Sequence, residues 1–362
     1  MRVYMFMLTV TGILSILCYT FFRQNFSFGK TWSFFFVYLA LALNTIFCRA
    51  LPDGTPLFIT KLSAWLSGLW IATGYYLIFA SIIMALLWLC KKIFGIAIPM
   101  KTIATGLTIC IALLVAWGSY RAMHPVLRTE KIVTEKLPAG EKHRIVLLTD
   151  IHLGQINGRS YSEELVNKVN ALNPDLVLIS GDLLDERIRY VVKQDSLSPL
   201  KSFNAKQGVY LAYGNHDYLD QPELWQKMLE ENNIHVLRDK DVKIGNLKIT
   251  GISDFSRNRN TLSLESLAQE NKSYYSIILD HQPRKMEAAS DAGYDLYLAG
   301  HTHTGQLWPN RIITQKMYKL DYGRKDFGKM TAITSNGYGF WGPPVRTEAM
   351  PEYILIELEG KR

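Results

Sequence analysis

The chain has 362 residues, 40 lysines and arginines against 32 acidic residues, a formal net charge of +8 and 48% hydrophobic residues. That is too apolar for a disordered chain and long enough for two or three units of ordinary domain size. The charge is unevenly placed: the first 124 residues hold nine basic residues and one acidic residue, Asp53, while the other 238 balance 31 against 31. A basic excess confined to the ends of hydrophobic segments follows the positive-inside bias and contacts with lipid phosphates, so it argues against a nucleic-acid partner.

In chain order, the apolar stretches Val3 to Phe22, Thr31 to Cys48, Leu66 to Cys90 and Ile103 to Met123 come first. Each predicts a helix that crosses a bilayer core, which takes about 20 residues. The first is read as an uncleaved span, because no small-residue cleavage site follows it and three further spans do. Each stretch holds one of the four cysteines (Cys18, Cys48, Cys90, Cys110); these read as small hydrophobes, with no disulfide framework. Trp32, Phe34, Phe35, Trp65 and Trp117 gather near the predicted span ends, as at a membrane interface. Four spans put both termini on one side. The flanking cations Arg2, Arg49, Lys61, Arg121 and Arg128 nearly balance Arg23, Lys30, Lys91, Lys92 and Lys101, and the free amino terminus tips the expectation toward a cytoplasmic soluble domain. Residues 1–124 are therefore expected to form a four-helix transmembrane region and residues 125–362 a soluble domain.

The soluble part alternates strand-like and helix-like segments, which predicts an α/β fold. Lys131 to Thr134 and His143 to Leu148 read as opening strands, followed by a helix from Ser160 to Leu172 with a capping box between Ser160 and Glu163. Further apolar runs follow at Leu176 to Ile179, Val209 to Tyr213, Ile277 to Leu279 and Leu296 to Ala299. A second helix spans Gln221 to Asn232, with Pro222 in its first turn. Asp185 to Lys206 and Arg257 to Lys272 are polar and expected to be loop-rich.

Directly after these strands stand five polar motifs: Asp150-Ile-His152, Gly181-Asp182, Gly214-Asn215-His216-Asp217, Asp280-His281 and Gly300-His301-Thr302-His303, which hold five of the eight histidines. Taken singly, each has a plain structural explanation: a turn aspartate, an exposed histidine, ordinary Gly-Asp turn chemistry. Taken together, they put ligand-type side chains at the carboxyl ends of several strands, where a crossover sheet gathers residues distant in sequence. Mixed carboxylate, amide and imidazole donors suit manganese, iron or zinc better than calcium. Arg346, after Pro343-Pro344, is a candidate phosphate clamp, because a guanidinium fork matches phosphate oxygens.

This ordered set resembles the calcineurin-like metallophosphoesterase superfamily over about Arg144 to Glu359. Gly300 to Gln306, Asn336 to Arg346 and Pro351-Glu352-Tyr-Ile are similar to its membrane-associated bacterial branch, which includes UDP-diacylglucosamine pyrophosphatases. Two positions depart from the branch: Thr304 replaces a glycine, and Asn336 stands where arginine is frequent. The resemblance implies a two-sheet β sandwich flanked by helices. It implies two divalent metal ions, manganese first with iron, zinc or magnesium as alternatives: Asp150, His152 and His303 on one, Asn215, His281 and His301 on the other, and Asp182 bridging. It further implies that His216 is a general acid or phosphate contact whose ring Asp217 orients.

The expected function is hydrolysis of a phosphate or pyrophosphate ester by a membrane-anchored dinuclear phosphoesterase. The expected substrate is lipid-linked, UDP-diacylglucosamine-like or a phospholipid, since a short tether holds the site near the headgroups. Trp308, Tyr338, Phe340 and Trp341 are candidate acyl-chain or membrane contacts. The alternatives are the same chemistry on a soluble nucleotide or phosphoprotein, and a non-catalytic metal-binding membrane scaffold. The expected partner is the lipid bilayer, in a multi-pass protein of the bacterial inner membrane, with no nucleic acid and no obligate protein partner.

Overall fold

The structure, a computed structural model, describes residues 2–257 and 263–362, with side chains from residue 12 onward. The charge read at Arg2 and residues 258–262 of the predicted polar loop lie outside that description. The chain folds as two compact units, Met1–Arg121 with Gly342–Thr347, and Ala122–Trp341 with Glu348–Arg362.

The first unit is helical: α1 (Arg2–Asn25), α2 (Trp32–Phe47), α3 (Leu57–Phe94) and α4 (Met100–Ala122). Among the described residues, α3 and α4 are long and apolar enough to cross a membrane, whereas the apolar α2 has 16 residues. Local chemistry sets the ends. Thr31 accepts the Phe34 N–H to start α2, and Gly95, at φ 66°, takes the left-handed conformation that stops α3. At 38 residues α3 outruns the predicted Leu66 to Cys90, because Lys61, Lys91 and Lys92 are good helix formers that hydropathy alone reads as an end. Its buried face is rich in small residues, among them Ser63, Ala64, Ser67, Gly68, Ala72 and Gly74, the composition that lets helix backbones approach closely. A Cβ on Gly68 would lie 2.3 Å from Pro344, and one on Gly118 would lie 2.6 Å from Val345, so these glycines make the seat on which Gly342–Thr347 lies. All four cysteines are free, with Cys18 and Cys48 buried and Cys90 and Cys110 exposed.

The second unit is an α/β domain of two mixed six-stranded sheets. Its strands are β1 (Val126–Thr134), β2 (Lys142–Leu148), β3 (Leu176–Ser180), β4 (Val209–Ala212), β5 (Ile234–Val236), β6 (Lys240–Ile244), β7 (Leu247–Gly251), β8 (Tyr275–Leu279), β9 (Leu296–Ala299), β10 (Gly323–Phe327), β11 (Met330–Thr334) and β12 (Glu352–Gly360). The sheet orders are β1-β12-β2-β3-β4-β5 and β10-β11-β9-β8-β7-β6. β2 to β5 run parallel to one another, as do β7, β8, β9 and β11. The period-two alternation of side chains divides each strand between two cores. Leu147, Leu178, Ile277, Leu279, Leu298 and Ile354 fill the space between the sheets. Val146, Val177 and Ile179 face outward beneath the helices α5 (Arg159–Asn170) and α7 (Pro222–Glu231), and Ile278, Tyr297 and Ala332 form the outer layer of the second sheet with Met286 and Ala289 of α9 (Met286–Asp291). Burial on both faces is why these strands read as continuous apolar runs.

Two local expectations are corrected. The N-cap of α5 is Gly158 without a side-chain cap, so Ser160 and Glu163 form no capping box; Glu163 pairs instead with Arg159 at 2.8 Å, one turn away. The stretch Asp185 to Lys206 holds α6 (Ile188–Gln194) and a 3-10 turn at Ser198–Ser202, because Ile188, Val191, Leu197 and Leu200 bury apolar side chains among its polar ones. The short helices α8 (Leu264–Leu267) and α10 (Arg311–Met317) complete the unit.

Leu147 is fully buried between the sheets, so Leu147→Ala should cost about 2–5 kcal/mol. Urea unfolding followed by intrinsic fluorescence measures this; a loss below about 1 kcal/mol would show that the inter-sheet layer closes around the gap.

Candidate metal centre

All five polar motifs follow parallel strands, β2, β3, β4, β8 and β9, so the two sheets deliver their carboxyl ends to one edge. The backbone turns sharply there. Asp150 (φ 52°), His152 (52°), Asp182 (54°), His301 (71°) and His303 (46°) all occupy the left-handed region, which disfavours residues with a Cβ and costs about 1–3 kcal/mol each. This conformation re-aims side chains that would otherwise alternate up and down the sheet. Backbone bonds between loops hold it: Asp150 N–H to Gly181 O and His152 N–H to Asp182 O, both at 3.0 Å, and Gly339 N–H to Asp150 O at 2.8 Å. Two motif glycines are there for space. A Cβ on Gly214 would lie 2.1 Å from Asp182 Oδ1, and one on Gly300 would lie 2.3 Å from Asp150 Oδ2.

Two clusters result. Asp150, His152 and His303 bring ligand atoms within 4.8 Å of one another, as do Asp182, His281 and His301. His303 Nε2 is 3.3 Å from Asp150 Oδ1, and His281 Nε2 is 3.1 Å from Asp182 Oδ2. Ring nitrogens face each other in pairs, His152 Nε2 with His303 Nε2 at 3.2 Å and His301 Nδ1 with His281 Nε2 at 3.3 Å. Such pairs point lone pairs at a common centre, an arrangement that a cation stabilises. His281 Nδ1–H donates to Ser180 O at 2.9 Å, leaving Nε2 as the donor atom. Asn215 Oδ1 is buried without a hydrogen bond, a costly state for an amide oxygen that has no ligand. The donor set thus fits divalent cations.

Electrostatics agree. Burial opposes ionisation of Asp150 and Asp182, but the surrounding histidines, His303 foremost for Asp150 and His281 for Asp182, hold both carboxyls well below the usual range. Burial likewise opposes charge on His281, yet Asp182 raises it well above its ordinary value. His152 is raised by its bond to Asp185 and by Asp182, against burial. His301, buried beside His281, is lowered to about 4. Asp280, beside this cluster, is pushed up to about 7 by burial and accepts the Tyr297 hydroxyl.

His216 and Asp217 have tasks that differ from the expectation. Asp217 does not orient the His216 ring; it ties the loops after β3 and β4 to helix α7 by accepting Asp182 N–H (2.8 Å), Gly214 N–H (2.9 Å), Leu184 N–H (3.0 Å) and Trp225 Nε1–H (3.1 Å). Its buried carboxyl is pushed up to about 6, chiefly by burial and then by Asp182. The His216 ring is held by its Nδ1 against the Asp185 backbone carbonyl, and one of its nitrogens lies within 4.8 Å of ligand atoms on His152 and Asp182. Toward His216 and His281, Asp185 and Ser180 act through main-chain oxygens, which no side-chain pattern announces. Arg346 is not among the clustered side chains: it belongs to the helical unit, fully buried, its N–H donating to Gly118 O at 2.9 Å. Tyr338 and Phe340 are core residues, 1% and 4% exposed. Trp308 and Trp341 are exposed; Trp341 stands edge-on to the His216 ring at 6.1 Å and is held by Gln306 through bonds of 2.9 and 3.0 Å.

The pattern of the calcineurin-like phosphoesterase family matches residues 143–305. An uncharacterized metallophosphoesterase of Campylobacter jejuni is 32% identical over 252 residues, 67% of each chain. One of Aquifex aeolicus is 33% identical over 248 residues, 65% of this chain and 93% of the relative. A Danio rerio transmembrane protein with a metallophosphoesterase domain is 32% identical over 270 residues, 69% of this chain and 61% of the relative. The chain belongs to the calcineurin-like phosphoesterase family and is a metal-dependent phosphoesterase, a hydrolase.

Gly214→Ala should abolish Mn²⁺ binding in calorimetry, because its Cβ would lie 2.1 Å from the Asp182 carboxylate oxygen and 2.6 Å from the Asp182 backbone nitrogen and must displace that loop; binding of wild-type strength would contradict the close approach. The raised histidines must lose protons to ligate, so affinity for Mn²⁺ should increase with pH between 6 and 8, by up to about tenfold per unit for each proton displaced. A flat profile would contradict imidazole ligation.

Proposed function

We propose that the chain is a membrane-anchored phosphoesterase with a dinuclear centre that hydrolyses a phosphate or pyrophosphate ester of a lipid-linked substrate. Asp150, His152 and His303 would hold one divalent cation, and Asn215, His281 and His301 the other, with Asp182 shared. The observation that carries this reading is the double membership of Asp182, which groups with His281 and His301 on one side and with His152 and His216 on the other. Manganese is the metal proposed, from the mixture of carboxylate, amide and imidazole donors. When bound, the cations neutralise phosphoryl oxygens and acidify water.

The protein's own part is positional. His216, anchored at Nδ1 by the Asp185 carbonyl, would act as the imidazolium, its Nε2–H giving a proton to the departing oxygen and leaving the neutral Nδ1–H imidazole; such positioned acids contribute about 10²–10⁴-fold. Asp217 holds the Asp182 and Asn215 loops at fixed separation. We assign Arg346 no step.

Membrane anchoring is supported by the two long apolar helices, by the basic excess at their flanks and by the name of the Danio rerio relative. The fuller proposal is a multi-pass protein of a bacterial inner membrane, with α1 and α2 as further spans and the catalytic domain on the cytoplasmic side. A lipid-linked substrate is supported by an apolar patch beside the centre: Trp308, Ile312, Ile313 and Met317 are each more than half exposed, and no residue of α10 is buried. Patches of this kind mark membrane or ligand contact.

The test is hydrolysis by the detergent-solubilised, Mn²⁺-loaded protein of an aryl phosphodiester, UDP-diacylglucosamine and a phospholipid panel. Asp182→Ala and His216→Ala should each lose at least about 100-fold in kcat, and a lipid substrate should be preferred. Equal turnover of the soluble aryl phosphodiester would remove the lipid assignment, and Mn²⁺ binding without turnover would remove the catalytic one.

A further inference from the structure

One charged side chain beside the centre is held still without serving it. Arg284 follows His281 by three residues and is exposed. Its Nε donates to Gln282 Oε1 at 2.9 Å and its Nη2 to the Tyr318 hydroxyl at 3.2 Å. The guanidinium carbon lies 4.9 Å from the Phe255 ring and 4.8 Å from the Tyr318 ring. Gln282 is itself fixed: its amide nitrogen donates to both oxygens of the fully buried Asp254, at 3.1 and 3.0 Å, which turns its carbonyl oxygen toward Arg284. Tyr318 in turn stands edge-on to the His301 ring at 6.0 Å. A buried carboxylate therefore sets an amide, the amide sets a guanidinium, and one aromatic ring joins that guanidinium to a candidate metal ligand. Among the described residues no carboxylate pairs with Arg284.

We infer that Arg284 is the binding element of a second anion subsite at the His301 side of the centre, which takes a phosphate group of the substrate other than the one that reacts. Nε and Nη2 are already engaged and two aromatic rings lie against the guanidinium, so part of the cost of immobilising a long side chain is met before the ligand arrives. The Nη1 edge is left to offer donors in the planar fork that matches phosphate oxygens. Aromatic stacking keeps the charge in place without neutralising it. An exposed arginine is ordinary; one held by three residues, Gln282, Phe255 and Tyr318, beside a candidate metal ligand is a recognition element. The inference rests on the phosphoesterase reading and narrows its substrate to molecules with at least two phosphate groups.

The test uses non-hydrolysable probes, so that binding is read apart from turnover. The Mn²⁺-loaded full chain is titrated calorimetrically with phenylphosphonate, 1,3-phenylenediphosphonate and 1,4-phenylenediphosphonate, in wild type, Arg284→Gln and Arg284→Lys. In the wild type, at least one diphosphonate should bind about tenfold or more tighter than the monophosphonate, and Arg284→Gln should erase that preference. Arg284→Lys, which keeps the charge and loses the fork, should fall between them. Equal affinity of wild type for all three probes, or an equal weakening of all three in Arg284→Gln, would overturn the subsite. Hydrolysis of an aryl phosphodiester, measured in parallel, separates the two claims: no turnover with the diphosphonate preference intact removes the hydrolytic reading and leaves the subsite standing.

Discussion

Two fully buried carboxylates, Asp150 and Asp182, set the terms for the second unit. Each ionised group taken out of water costs several kcal/mol unless opposite charge and hydrogen bonds surround it. His281 answers this only in part, because its own desolvation opposes the charge it would carry. A cluster of this kind is stable as a set and poor in any subset. The left-handed backbone of five candidate ligand residues, the glycines that admit the carboxylates and the Asp217 bridge between loops are all conditions for bringing the set together.

The fold supplies the edge on which this happens. Parallel strands in both sheets end on the same side, and Ser180 ties them there, its hydroxyl donating to Leu298 O at 2.9 Å across the inter-sheet space. A rigid packed layer between the sheets keeps that edge from yielding to the repulsion of its own buried groups. The helical unit follows other rules, with small residues on α3 in place of large ones and a basic flank in place of a polar face. Its segment Gly342–Thr347 comes from late in the chain and sits on Gly68 and Gly118.

Much of this is legible in the sequence because the signals are strong and local. Apolar runs closed by Gly, Asn and Asp mark β2, β3, β4, β8 and β9, and the motifs after them name the ligand types in Asp150, His152, Asp182, His281, His301 and His303. What is not legible depends on the main chain or on distant partners. The bond that holds His216 comes from a carbonyl of Asp185, and any residue has a carbonyl. Asp217 stands in sequence as a partner for its neighbour and serves the loops after β3 and β4 instead. The lock on Arg284 joins residues from 254 to 318, and the match of a guanidinium to phosphate oxygens does not say to which unit the chain carries Arg346. The ends of α3 and the cap of α5 escape because hydropathy and a four-residue motif are weaker than helix propensity and tertiary packing.

The central claim is that loops from both sheets converge to hold metal on either side of Asp182. It is tested most directly by an anomalous difference map from Mn²⁺-soaked crystals, collected above and below the manganese edge. The account predicts two peaks separated by about 3.5–4 Å, one within ligand distance of Asp150, His152 and His303, the other of Asn215, His281 and His301, with the Asp182 carboxylate touching both. A single peak away from Asp182, or no peak in a protein with native strand ends, would contradict it.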